Sequence, residues 1–118
     1  MGLAKAAELN GYPGPMHVLE LAAGLGLSPA QAQATQELMK RHKSTARLLG
    51  GQLMETERQL DTAFREQRVT DAEVDRLTAR IGNLQASIRS EHLRTHLQQA
   101  ALLTPEQIAR YSQLRGYR

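Results

Sequence analysis

The sequence predicts an all-α fold: a four-helix hooked hairpin in which two long antiparallel helices are each flanked by a short helix. Apolar residues along most of the chain recur at intervals of three and four, the spacing of one face of a helix. A five-residue corner that can start a helix occurs twice, near each end of this stretch. Only 3% of the residues are aromatic although 41% are hydrophobic, which is typical of a core built from aliphatic helix packing.

Residues 1–15 are predicted to be an N-terminal linker and residues 16–118 a single helical hairpin domain. The run from Gly11 to Pro15 contains two glycines and two prolines, and both residue types disfavour helix. A chain of 118 residues is long enough for one core. The first short helix is predicted from Met16 to about Gly24, where Gly24 and Gly26 allow it to end.

The two corners are the strongest local signals. In each, a hydroxyl side chain can cap the backbone N–H groups of the next turn, and a proline takes the first helical position. A glutamine or glutamate follows in the first turn, and the preceding leucine can pack onto the new helix. The corner residues are Leu27, Ser28, Pro29 and Gln31 near one end, and Leu103, Thr104, Pro105, Glu106 and Gln107 near the other.

The first long helix is predicted from Pro29 to about Glu66. The Gly50-Gly51 pair inside it indicates a kink or a close backbone contact, because glycine weakens a helix interior by about 1 kcal/mol. Its inward stripe repeats about every eleven residues, which favours a straight helix over a left-handed coiled coil. The predicted stripe consists of Leu38, His42, Thr45, Leu49, Leu53, Thr56, Leu60 and Phe64.

The second long helix is predicted to follow a turn at residues 67–69 and a capping box that begins at Thr70. Its inward stripe contains Val74, Leu77, Ile81, Leu84 and Ile88. Its last turns carry a second apolar face that includes Leu97, and a helix apolar on two faces needs cover on both. We therefore expect a fold-back helix, predicted over residues 105–114, or a second subunit on that face.

Three histidines are predicted to meet between the long helices. His92 and His96 are four residues apart and project from one side of their helix. In a hairpin that turns near Arg68, His42 lies opposite about residue 94. Imidazole is a ligand of nickel, cobalt, copper and zinc, so these residues form a candidate metal site, with Met39 one turn away. The alternative stays open, because histidine is often half-buried without binding anything.

Composition argues against several other classes of function. The 15 Lys and Arg residues alternate with 12 Asp and Glu residues along the helices, which predicts solvated faces and no nucleic-acid partner. The sequence has no phosphate-binding glycine loop, no triad spacing and no converging carboxylates, so the protein is predicted not to be an enzyme. It also has no cysteine, no apolar stretch long enough for a bilayer and no signal-peptide core.

The paired corners resemble those of the LTXXQ-motif family, which comprises Spy/CpxP-like periplasmic proteins and heavy-metal-resistance relatives of the CnrX and ZraP kind. Residues 14–21 and 92–97, which lead into the corners, also match, and the resemblance extends from Gly14 to Tyr117. It implies a hooked four-helix hairpin, an intertwined homodimer with a cradle-like surface, and a periplasmic location. Any signal or membrane anchor would then be absent from the chain shown.

The resemblance also bears on the metal site. Metal-sensing relatives use a His-x-x-x-His pair, a glutamate and a His-x-x-x-Met pair. By this comparison, His17 matches the first histidine and His96 lies within about one residue of the third-helix histidine. Leu21 replaces the second histidine, Met39 or Glu37 falls near the glutamate, and the partner methionine is not reproduced.

Two functions follow from these observations. The first is a periplasmic stress or heavy-metal-resistance protein that binds a divalent transition metal and acts, sensor-like, on a membrane-bound signalling protein. The alternative is an ATP-independent chaperone or inhibitor of a stress sensor, which would hold unfolded client proteins on a cradle of arginine, leucine and methionine side chains.

Overall fold

The computed structural model describes residues 2–117 and, within that range, contains helices and turns but no strand. The all-α prediction is therefore confirmed. The two longest helices pack against each other along an elongated molecule of 58 × 27 × 18 Å. No helix in the described range combines the length and apolarity needed to cross a membrane. The segments are α1 (Lys5–Glu8), α2 (Pro15–Glu20), α3 (Ala22–Leu25), α4 (Pro29–Arg65), α5 (Asp71–Ala101) and α6 (Pro105–Leu114).

The helices differ from the sequence prediction mainly near the N-terminus. The single short helix expected over residues 16–24 is divided into α2 and α3 at Leu21. Gly26 ends α3 in the left-handed conformation, with φ 63°, which glycine adopts without strain. The long helices begin at the predicted residues, and α4 ends one residue before the predicted boundary.

Both corners have the predicted hydroxyl caps, and each closes into a capping box with a glutamine three residues on, Gln31 or Gln107. The Ser28 hydroxyl accepts from the Gln31 amide at 3.1 Å, and Gln31 Oε1 accepts from the Ser28 amide at 3.0 Å. Thr104 and Gln107 make the same two bonds at 3.1 and 3.0 Å. A proline, which has no N–H, starts each helix, so the N-cap and N3 amides of both first turns have local partners and the first position needs none.

The two corner glutamines also bind each other. Gln31 Nε2 donates to Gln107 Oε1 at 2.7 Å and to the Leu102 carbonyl at 3.0 Å. Gln107 Nε2 donates to Gln31 Oε1 at 3.0 Å and to the Leu25 carbonyl at 3.3 Å. Together with the capping bonds, each side-chain amide makes four hydrogen bonds, which is its full capacity. This reciprocal pair joins the start of α4 to the start of α6.

An apolar core lies beside the corners, and the N-terminal segment contacts it through Glu8. Val18, Leu25, Leu103 and Tyr111 form the buried cluster. Burial, and then its hydrogen bond to Glu8, raises the pKa of Tyr111, so the hydroxyl stays protonated and donates to the carboxylate. Residues 1–15 were predicted to be a linker, but they contain α1, which contacts α6 through this bond.

The seam between the long helices follows a different spacing from the predicted one. Thr45 and Phe64 were expected to face inward, but both are exposed, Phe64 by 56%. Ala63 is buried in place of Phe64, because seven residues return to nearly the same side of a helix whereas eight overshoot by about 80°. The eleven-residue repeat was wrong. Buried or half-buried positions of α4 recur every seven residues, as in a coiled-coil seam, at Thr35, His42, Leu49, Thr56 and Ala63.

A polar pair lies inside this seam near the corner end. Gln99 and Thr35 are fully buried, and Gln99 Nε2 donates to the Thr35 hydroxyl at 3.1 Å. The other amide atom, Gln99 Oε1, is buried without a protein partner among the described residues. A buried polar pair of this kind fixes the register of α4 against α5.

The glycines in the middle of the long helices make no close contact. Helix α4 continues through Gly50 and Gly51, and α5 continues through Gly82. A Cβ atom added at any of the three would meet nothing within 4 Å. The close backbone contact proposed for Gly50-Gly51 was therefore wrong.

Candidate metal centre

The antiparallel register places His42 at the level predicted from its distance to the turn. Its Nδ1 lies 3.1 Å from the Thr95 hydroxyl and 3.3 Å from Glu91 Oε1. Because Thr95 donates its own proton to the Glu91 carbonyl, at 2.8 Å, its oxygen can accept from a His42 Nδ1–H. These bonds orient the imidazole and leave Nε2 as the nitrogen available to a ligand.

His92 lies next to His42 across the helix pair. The two ring centroids are 4.5 Å apart with an interplanar angle of 80°. Burial, followed by the nearby His42, lowers the pKa of His92. Its imidazole is therefore kept neutral at and above neutral pH, which is the form that coordinates metals.

His96 is held by the segment that precedes α2. Its Nδ1 lies 2.6 Å from the Tyr12 carbonyl, so it donates an N–H there, and it lies 3.7 Å from Glu8 Oε2. A Cβ at Gly14 would lie 3.0 Å from the ring, so a larger residue there would push the imidazole by a few tenths of an ångström. The ring consequently contacts the N-terminal segment as well as the cavity between α4 and α5.

His17 lies on the other side of the site, on α2. Its Nδ1 is 3.0 Å from Glu20 Oε2, one turn along the same helix. His17 is half-buried, and α2 packs against α4. The structure thus brings His17 to the same region as the three histidines of the long helices, and its Nδ1 contacts Glu20 on its own helix and, at 3.4 Å, the guanidinium of Arg115.

One cavity joins all four histidines. Its volume is about 520 Å³, and its walls are mainly apolar. Two methionines, Met16 and Met39, line it together with the imidazoles, and residues 2–9 contribute one wall. Within residues 2–117 no group of three or more His, Asp or Glu side chains is already arranged around a common point to hold a metal ion. The closest histidine pair is His42 and His92, on opposite helices.

The sequence did not reveal the role of Glu8. Its Oε2 accepts from the Gly14 amide at 3.2 Å, and its Oε1 accepts from Tyr117 at 3.2 Å and from Tyr111. This carboxylate therefore ties α1 to the C-terminal helix beside the histidine cavity. Glu8 follows no recognisable motif, and the helix-breaking run after it gave no signal that the chain would fold back.

The lowered pKa of His92 predicts a pH-dependent stability in the absence of metal. Between the folded-state pKa and the ordinary value of 6.5, the unfolded chain binds more protons at this site than the folded chain. The contribution of His92 to the free energy of unfolding is therefore complete above about pH 6.5 and declines as the pH falls below it. We expect the free energy of unfolding of His92→Gln, measured by urea denaturation, to fall less between pH 7 and pH 5 than that of the wild type. An unchanged slope would contradict this assignment.

A second, more open cavity lies along α4. It has a volume of about 710 Å³ and combines apolar side chains with the cationic groups of Lys40, Lys43 and Arg47. Leu48, at its edge, is 63% exposed, and Met54 further along the helix is 66% exposed. Apolar side chains beside long basic ones form a surface that can hold amphipathic chains.

Comparison with known proteins identifies a family. A family model described as LTXXQ motif family protein matches residues 14–115, which includes both corners and all four histidines. No curated protein and no solved structure matches the chain significantly.

Proposed function

The chain belongs to the LTXXQ motif family, and we propose that it is a periplasmic accessory protein of stress or heavy-metal resistance that acts by binding and not by catalysis. Its proposed ligand is a transition metal. The observation that supports this choice is that four histidines from three helices line one cavity, with the rings of His42 and His92 already in contact.

The proposed ligands differ in how near they lie to one another before a metal binds. His42 and His92 present imidazoles from opposite long helices, so an ion bound by both would crosslink α4 to α5. His96 and His17 line the same cavity and are the further ligands proposed for the shell. Such a crosslink favours one arrangement of the hairpin, and a membrane-bound signalling protein that recognises that arrangement would sense the metal.

Metal binding is expected to raise the thermal stability of the protein. An ion that binds only the folded chain stabilises it by about 2.7 kcal/mol at a free concentration 100 times its Kd. Calorimetry with nickel, cobalt, copper and zinc should show an increase for at least one ion, and His42→Gln/His92→Gln should abolish it. Gln98→Ala, an exposed change on α5, serves as the control. Native mass spectrometry of the same samples gives the ion count and the subunit count.

A second candidate function is client binding, and the basic, apolar cavity along α4 supports it. Two copies would extend this surface into a cradle, and Leu97, 55% exposed on the second apolar face of α5, is the proposed contact between them. If no ion stabilises the protein, and the metal-free protein suppresses aggregation of several unrelated clients at near-stoichiometric ratios, the chaperone function replaces the metal function.

A further inference from the structure

We propose that the ion of this site is monovalent copper, held by the imidazoles of His42 and His92 and by the thioether of Met39. This inference rests on the proposed metal-binding function and names the ligand within it. Its basis is the set of donor atoms that the fold gathers around the cavity.

The donors that line the cavity are soft or borderline and poor in oxygen. Met16 and Met39 supply thioethers and the four histidines supply imidazoles. Among the described residues that line it, Glu8 is the only carboxylate, and both of its oxygens already accept hydrogen bonds. Thioether sulfur favours Cu(I), whereas ions such as Mn²⁺ and Mg²⁺ require oxygen ligands.

The geometry supplies a small number of ligands from two helices. Met39 precedes His42 by three residues on α4, so the two side chains lie on one face of that helix, one turn apart. His92 faces His42 from α5 with the rings 4.5 Å apart. Two imidazoles and one thioether form a three-ligand set, and its thioether is the donor that favours Cu(I) over divalent ions that prefer oxygen.

The carboxylate oxygens nearest the site are already engaged in other contacts. Glu91 contacts Nδ1 of His42, the nitrogen that turns away from a ligand at Nε2, and both oxygens of Glu8 accept hydrogen bonds. A soft ion bound by imidazole and thioether does not need these oxygens.

The affinity of the full chain for Cu(I) tests the proposal. Measured without oxygen by competition with a chromophoric Cu(I) chelator, the wild type should bind one ion per chain. Met39→Leu, which keeps the volume of the side chain and removes its sulfur, should raise the Kd at least tenfold. Met54→Leu is the matched control, because Met54 lies on the same helix, 66% exposed and outside the cavity. Equal Cu(I) affinity in Met39→Leu and the wild type would overturn the proposal.

X-ray absorption gives an independent readout. The chain has no cysteine, so any sulfur bound to copper must come from methionine. Wild-type protein loaded with Cu(I) should show sulfur in the first coordination shell, and Met39→Leu should lose it. If zinc, nickel or cobalt binds more tightly than Cu(I) and through His42 and His92, this inference fails while the proposed metal function stands. If no ion binds at all, both fail.

Discussion

Gln107→Ala is expected to lower the free energy of unfolding by about 3 kcal/mol. The substitution removes one half of a capping box, which costs about 1 kcal/mol. It also removes two bonds with Gln31 and one to the Leu25 carbonyl, each with a net value of about 0.7 kcal/mol. Urea denaturation measures the change, and Gln113→Ala, an exposed change on the same helix, should stay within about 0.5 kcal/mol of the wild type.

A charged variant separates the two roles of this side chain. Gln107→Glu keeps an oxygen that can accept from the Thr104 amide, so the cap survives, but it has no N–H to donate to Gln31. It should therefore cost stability even though the helix start is intact. In a double-mutant cycle, Gln31→Ala and Gln107→Ala should be coupled by about 1 kcal/mol. Additive effects would show that the corners are capped independently.

Thr35→Val is expected to destabilise the protein by about 2 kcal/mol although it preserves volume. Gln99 is fully buried and donates to the Thr35 hydroxyl, and its oxygen already lacks a protein partner in the described structure. Loss of the hydroxyl leaves the whole amide unsatisfied, which incurs its desolvation penalty. Urea denaturation measures this loss. Thr78→Val, at an exposed threonine on α5, is the control for the effect of a threonine-to-valine change by itself.

The double variant Thr35→Val/Gln99→Leu is expected to recover the stability that Thr35→Val loses. Replacing both partners by apolar groups of similar shape removes the unsatisfied amide, so stability should return to the wild-type value or exceed it. If the double variant is less stable than Thr35→Val alone, the buried amide contributes bonds that the Thr35 contact does not account for.

Local features of the fold were predictable from the sequence, and contacts between distant residues were not. Ser28 and Thr104 identify helix starts because capping depends on residues three positions apart. The bond between Gln31 and Gln107 joins residues 76 positions apart, and no local pattern indicates it. The exposed position of Phe64 was missed because the predicted stripe moved eight residues from Thr56, whereas the buried positions are seven residues apart. Over a long helix, such an error moves the predicted stripe away from the buried face.

The candidate site shows the same limit. Counting from the turn placed His42 opposite residue 94, and the structure has it at Thr95, because helical rise alone determines that level. The orientation of His96 was not predictable in this way. Its hydrogen-bond acceptor is the carbonyl of Tyr12, in a segment whose composition indicated only a linker.

We expect the long hairpin to open first at its unpacked glycines. Gly50 and Gly51 on one arm, and Gly82 on the other, each weaken their helix by about 1 kcal/mol relative to alanine without any contact in return. Because His42 pairs with Thr95, the three glycines lie within about one helical turn of the same level along the two long helices. The distal tip can therefore fray and close again as a separate cooperative unit, while the hooked base, with its histidine cavity, remains folded.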